Sequence, residues 1–113
     1  MNQYNQNIPS TIHNALNGIQ YNPNFHQLSS SSNTVILRHQ LDLLFSILLE
    51  NIGQVVSRDE LIEKIWNGNY LTGINALTHS ICKLRKILVD LGDDKDRIMT
   101  ISKFGYCLKT NTP

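Results

Sequence analysis

His79 and Cys82 stand one helical turn apart, at i and i+3. At that spacing an imidazole and a thiol share a face, and they could begin a metal site or a Cys/His catalytic pair. Nothing completes either arrangement. Cys82 and Cys107 are the two cysteines of the chain, no C-x-x-C accompanies them, and no third group lies at a recognisable spacing. The neighbouring residues carry a different chemistry. Asn75, Thr78, Lys83, Arg85 and Lys86 supply hydrogen-bonding groups and positive charge, and no acid lies between Asn75 and Val89. Such a set binds rather than transforms, so no enzymatic activity, cofactor or metal is expected.

The charge distribution points the same way. The net charge of +1 argues for no partner by itself, but it is unevenly spread. Residues 1–37 contain no Asp, Glu, Lys or Arg, and 38–72 carry three basic residues against five acidic ones. From Gly73 to Pro113 there are seven basic residues against four acidic, and those four lie together between Asp90 and Asp96. The stretches Asn75–Val89 and Arg97–Thr112 are therefore purely positive, the footprint of a domain that meets a polyanion.

The 113 residues allow one ordinary domain. The longest apolar run, Leu43 to Leu49, is broken by Ser46, far short of the roughly 20 residues a membrane span needs. No basic-then-apolar segment opens the chain, and two cysteines are too few for a disulfide framework. A cytoplasmic domain is expected.

Helical and strand periodicities divide the chain. Residues 1–14 form a polar, partly flexible segment, 15–109 the domain, and 110–113 a tail. Asn17-Gly18 and Asn22-Pro23-Asn24 are turn signals, and Ser29 to Asn33 a polar loop. Between them lie the short apolar patches Ile19–Tyr21, His26–Leu28 and Thr34–Leu37, of which the last is β-branched enough to read as a strand. Leu41, Leu44, Phe45, Leu48 and Ile52 fall at helical spacing, and Leu43, Ile47 and Leu49 make that helix apolar almost all round. Gly53 ends it, and Gln54-Val55-Val56 reads as an extended connector. Ser57 and Glu60 form a capping box for a second helix with Leu61, Ile62, Ile65 and Trp66 inward. Asn67-Gly68-Asn69 stops it.

A third helix, about 74–91, has the cleanest stripe: Ile74, Leu77, Ile81, Leu84, Leu88 and Leu91. Its opposite face carries Asn75, His79, Cys82, Lys83 and Lys86, with Thr78 and Arg85 on the shoulder. Residues 98–109 then alternate as a β-hairpin with a basic tip at Lys103-Phe104-Gly105. The expected fold is therefore α+β: a winged helix-turn-helix with an N-terminal antiparallel sheet, three helices and a C-terminal β-hairpin wing. A helix of that width fits a DNA major groove, and a hairpin beside it can press into the adjacent minor groove.

Specific runs strengthen the likeness. Gly53-Gln54-Val55-Val56-Ser57-Arg58-Asp59-Glu60-Leu61 with Ile65-Trp66 resembles the start of the second helix in OmpR/PhoB-type transcriptional regulators. Ala76-Leu77 through Ile81 and Lys83-Leu84-Arg85-Lys86-Ile87-Leu88 resemble their recognition helix, and Ile98-Met99-Thr100-Ile101 with Gly105-Tyr106-Cys107-Leu108 their wing. The absence of a receiver domain ahead of this one resembles the ToxR/CadC-like branch, whose members are often tethered to the inner membrane. The chain is then either a free-standing regulator or a fragment of a longer, membrane-anchored one.

The resemblance implies roles residue by residue. Lys83 becomes a DNA contact, with a solvated lysine as the bland alternative. Asn75, Thr78, His79 and Cys82 scan base edges; Asn can read adenine and Thr a thymine methyl. Cys82 departs from the basic residue common at its position. Arg85 and Lys86 contact phosphate or pair with acids, for Arg85 a second-helix carboxylate. Trp66 packs in the core or donates its indole N–H to a phosphate. In the wing Ser102 replaces the usual Arg, leaving Lys103 as its substitute and Phe104 on the sugar edge or exposed at the tip; Tyr106 is a structural anchor. The turn from Asn67 to Gly73 would be six or seven residues long, and Asn67, Gly68, Asn69, Tyr70, Leu71 and Thr72 would contact RNA polymerase. The implied partner is a double-stranded DNA operator, bound by a dimer or tandem copies. A winged helix used only for protein–protein contact is the alternative.

Overall fold

The computed structural model describes Leu16 and residues 18–110. The expected polar segment 1–14, Asn17 of the first turn signal, and the end of the tail lie outside the described residues.

Among the described residues three short strands come first: β1 (Gln20–Asn22), β2 (Gln27–Ser29) and β3 (Thr34–Ile36), antiparallel in the order β1-β2-β3. Asn22 makes the first reversal. Its side-chain oxygen accepts the Asn24 N–H at 2.9 Å, and its carbonyl accepts that of Phe25, the local bonding that favours Asn in turns. One aromatic contact and one carboxylate attach this sheet to the first helix, α1 (His39–Glu50). The Tyr21 and Phe45 rings meet edge-on with centroids 5.0 Å apart. Tyr21 donates its hydroxyl to Asp42 Oδ1 at 2.6 Å, and His26 Nδ1 lies 2.7 Å from Oδ2. Burial, and then the bond to Asp42, hold the Tyr21 phenol well above its ordinary pKa.

Helix α1 has the environment its composition demands. Leu44, Phe45 and Leu48 are wholly buried, and Ile47 and Leu49 nearly so. It packs against α2 (Arg58–Trp66), α3 (Tyr70–Asp90) and the last strand. Gly53 follows with φ +83°, a conformation that costs glycine nothing sterically.

Gln54-Val55-Val56 is more than a connector. Val55–Ser57 is a strand, β4, paired antiparallel with β6 (Gly105–Leu108), which also pairs with β5 (Ile98–Ile101). The wing is thus a three-stranded sheet of order β4-β6-β5. Gly105 makes the close pairing possible: a Cβ there would sit 2.0 Å from the Val56 carbonyl oxygen. The same junction starts α2. Ser57 Oγ accepts the Glu60 N–H at 3.1 Å, as the capping box requires, while the Glu60 carboxylate meets Lys64 Nζ at 2.9 Å. The Phe104 carbonyl accepts the Arg58 N–H at 2.8 Å, joining the wing turn to the first turn of α2.

Helix α2 ends at Trp66 and is capped by Asn67, whose backbone is left-handed. Here the structure corrects the expected boundaries. The connection to α3 is Asn67-Gly68-Asn69 alone, and the helix begins at Tyr70 rather than near Ile74. Asn69 Oδ1 caps it by accepting the Thr72 N–H at 3.2 Å. Gly73, expected to belong to the turn, is a buried helical residue where α3 crosses α2; a Cβ there would approach Ile62 Cγ2 to 2.7 Å. A tight turn and a glycine at the crossing set the second helix and the third against each other.

At the other end of α3, Asp93 and Arg97 are both buried. Arg97 donates Nε to Asp93 Oδ2 at 2.9 Å and Nη2 to Oδ1 at 3.0 Å, and Nη1 to the Lys109 carbonyl at 2.9 Å. The expected acidic loop therefore keeps only part of its charge at the surface, and Arg97 drops out of the positive footprint. Among the described residues no helix is long and apolar enough to cross a membrane.

Candidate nucleic-acid interface

Helix α3 is divided lengthwise. Leu77, Ile81, Leu84 and Leu88 are buried, whereas Ile74, expected in the same stripe, is exposed. Asn75, Thr78, His79, Cys82, Lys83 and Lys86 are all exposed. The structure thus brings together on one open face every residue singled out there except Arg85. Thr78 donates its hydroxyl back to the Ile74 carbonyl at 3.1 Å. Lys83 and Lys86 take part in none of the ion pairs among the described residues. Among those residues no group of three or more His, Cys, Asp and Glu is placed to hold a metal ion, and Cys82 and Cys107 are free thiols.

Arg85 is half-buried, and its partner differs from the one expected. It donates Nε and Nη2 to the Ile98 carbonyl at 3.1 and 2.7 Å, and Nη2 also to Thr100 Oγ1 at 2.8 Å. The guanidinium is thus tied to wing strand β5, not to a carboxylate of the second helix. A forked group with several donors suits this bridging, and it fixes the wing relative to α3.

The wing turn runs from Ile101 to Phe104, closed by a 2.7 Å bond from the Phe104 N–H to the Ile101 carbonyl. Gly105, expected at the tip, lies in β6. Ser102, Lys103 and Phe104 project as the exposed tip, Phe104 at 57%. Lys103 holds φ +60°, unusual for a residue with a Cβ. Tyr106 is buried in the sheet behind them, and Trp66 is buried at the end of α2, in keeping with core packing.

The segment expected to contact polymerase splits in two. Asn67, Gly68 and Asn69 form the turn, while Tyr70, Leu71 and Thr72 occupy the first turn of α3. Leu71 is 94% exposed, with Tyr70 and Ile74 beside it also open. A hydrogen bond to the Asp59 carboxylate raises the Tyr70 phenol above its ordinary pKa.

One feature escaped the sequence. Arg38, His39, Gln40 and Leu41 at the start of α1 line a cleft of about 320 Å³ with Ser80 and Lys83 of α3. Arg38 and Lys83 are far apart in the chain, and only the α1–α3 packing brings them to one cleft. The charge of Arg38 was visible; its neighbourhood was not.

Among the described residues, three helices with a tight turn between the second and third, two antiparallel sheets and an exposed hairpin tip define a winged helix-turn-helix domain. The chain belongs to the family described as "Transcriptional regulatory protein, C terminal", which matches residues 31–108, the OmpR/PhoB type. It is 36% identical over 87 residues to the transcriptional activator CadC of Escherichia coli K12, covering 76% of this chain and 17% of CadC. It is 33% identical over 97 residues to the transcriptional regulatory protein DltR of Streptococcus agalactiae, covering 86% of this chain and 43% of DltR. The chain thus spans less than half the length of these relatives. A solved structure described as the DNA-binding domain of E. coli CadC superposes with a TM-score of 0.71 at 33% identity, covering 82% of this chain and 87% of that one.

Proposed function

We propose that this chain binds double-stranded DNA sequence-specifically, as the output domain of a bacterial transcriptional regulator. Helix α3 enters the major groove and the wing tip reaches the minor groove. The observation that carries this reading is the outer face of α3: polar and basic, exposed, and without an acidic residue from Asn75 to Val89. Base-reading side chains need that openness, because a helix can approach base edges only where its own protein does not cover it. The description of the solved CadC domain as DNA-binding supports the same reading.

In this reading Asn75, Thr78, His79 and Cys82 meet base edges, Lys83 a base edge or phosphate, and Lys86 phosphate. Lys103, with Ser102 and Phe104, meets the minor-groove margin. Arg85 acts as a positioning residue for the wing. The operator takes two copies, because one small module buries limited DNA surface. Leu71, with Tyr70 and Thr72, offers a surface for RNA polymerase.

Selection from a random duplex pool, followed by titration of the recovered duplex at several salt concentrations, tests the reading. One enriched motif is expected, with affinity falling steeply on a log–log salt plot. No enrichment and no salt-dependent duplex binding would instead make the domain a protein–protein module.

A further inference from the structure

At 100° per residue, Ser80 and Lys83 lie on one flank of the outer face of α3, and Thr78 and Arg85 on the other. Arg85 marks the wing side by its bonds to Ile98 and Thr100. The opposite flank is the cleft shared with the start of α1. Its lining includes the cationic Arg38 and Lys83, the titratable His39, and no Asp or Glu. The acid nearest in sequence, Asp42, is engaged by Tyr21 and His26. Arg38 is exposed at the N-cap position of α1 and makes no cap bond, since a guanidinium offers no acceptor to the helix amides. Its donors join none of the ion pairs among the described residues.

A helix seated in a major groove lies between two phosphate strands, so whatever flanks the helix meets one strand or the other. The wing occupies one side. We propose that the cleft on the other side is a phosphate clamp, in which Arg38 and His39, together with Lys83, hold a backbone phosphate of the DNA strand bordering the groove away from the wing. The clamp rests on the DNA-binding reading above and extends it to a second element. Lys83 links the two surfaces, because it belongs both to the outer face of α3 and to the cleft. Such a contact sets the register and tilt of α3 and carries no sequence information itself.

The test uses the whole chain and the duplex recovered by selection with the wild-type protein. Arg38→Ala should weaken binding to every sequence by the same factor, lower the log–log salt slope by about one, and leave the selected motif unchanged; Arg38→Lys should restore the slope. In a second arm, single methylphosphonate linkages are placed along the strand bordering the groove. One neutral linkage should weaken wild-type binding while leaving Arg38→Ala indifferent to it. An unchanged slope for Arg38→Ala, an altered motif, or equal sensitivity of both proteins at every linkage would overturn the clamp while leaving DNA binding intact. Absence of salt-dependent duplex binding by the wild type would overturn both.

Discussion

The middle and the far end of α3 use positive charge in opposite ways. Just beyond the helix, Arg97 is buried to 7% exposure and held by Asp93 in a two-pronged pair. In the middle, Lys83 and Lys86 are exposed and outside every ion pair among the described residues. All three count as positive charge in the sequence; burial separates them. A charge removed from water must be matched within the protein, whereas one left in water is cheap to keep and available to a partner. Substitutions at the two places should therefore fail in different measurements.

The largest effect is expected at Arg97. Arg97→Ala leaves the Asp93 carboxylate buried without its partner, and should reduce unfolding free energy by about 3–5 kcal/mol in urea titration. Replacing both partners by apolar residues, Asp93→Leu with Arg97→Met, should cost much less, because no charge is then left stranded. If Arg97→Ala alone proves nearly neutral, the division between structural and available charge breaks down.

At Lys83 the signature should reverse. Lys83→Ala removes an exposed side chain, so stability should stay within about 0.5 kcal/mol. Binding to the selected duplex should weaken, by about 1–3 kcal/mol at one base pair if the lysine reads guanine. Wild-type affinity in the variant would return Lys83 to the solvated-lysine alternative. A parallel loss of stability and binding would instead place it with Arg97.

These two residues also mark the limit of what the amino-acid order reveals. Helices were legible where a one-sided pattern ran for several turns, as in α3, or where a cap announced the start, as at Ser57. The strand at Val55–Ser57 was not, because three residues carry no usable period and β6 alone makes them a strand. The start of α3 was misplaced because Gly73 reads locally as a break. Its lack of a side chain serves the crossing with Ile62, a contact between two helices. The exposed face of α3 could be drawn on a wheel from the sequence. The partner of Arg85 could not, since Ile98 contributes a backbone carbonyl that no side-chain pattern advertises. The cleft at Arg38 needed the packed α1–α3 pair before it existed at all.

The smallest effect should separate folding from binding within one side chain. Lys103 sits at φ +60° on the wing tip. Its Cβ is repelled there by about 1 kcal/mol, and glycine escapes that repulsion while losing about 0.5 kcal/mol more in chain entropy on folding. Lys103→Gly should consequently raise stability slightly, by about 0.5 kcal/mol. The same change removes one exposed cation and should lower the salt slope of duplex binding by about one. Opposite signs in the two measurements would mean that a strained lysine is kept for its charge. If stability falls along with binding, the side chain supports the tip by packing, and the wing belongs with Arg97 on the structural side of the comparison.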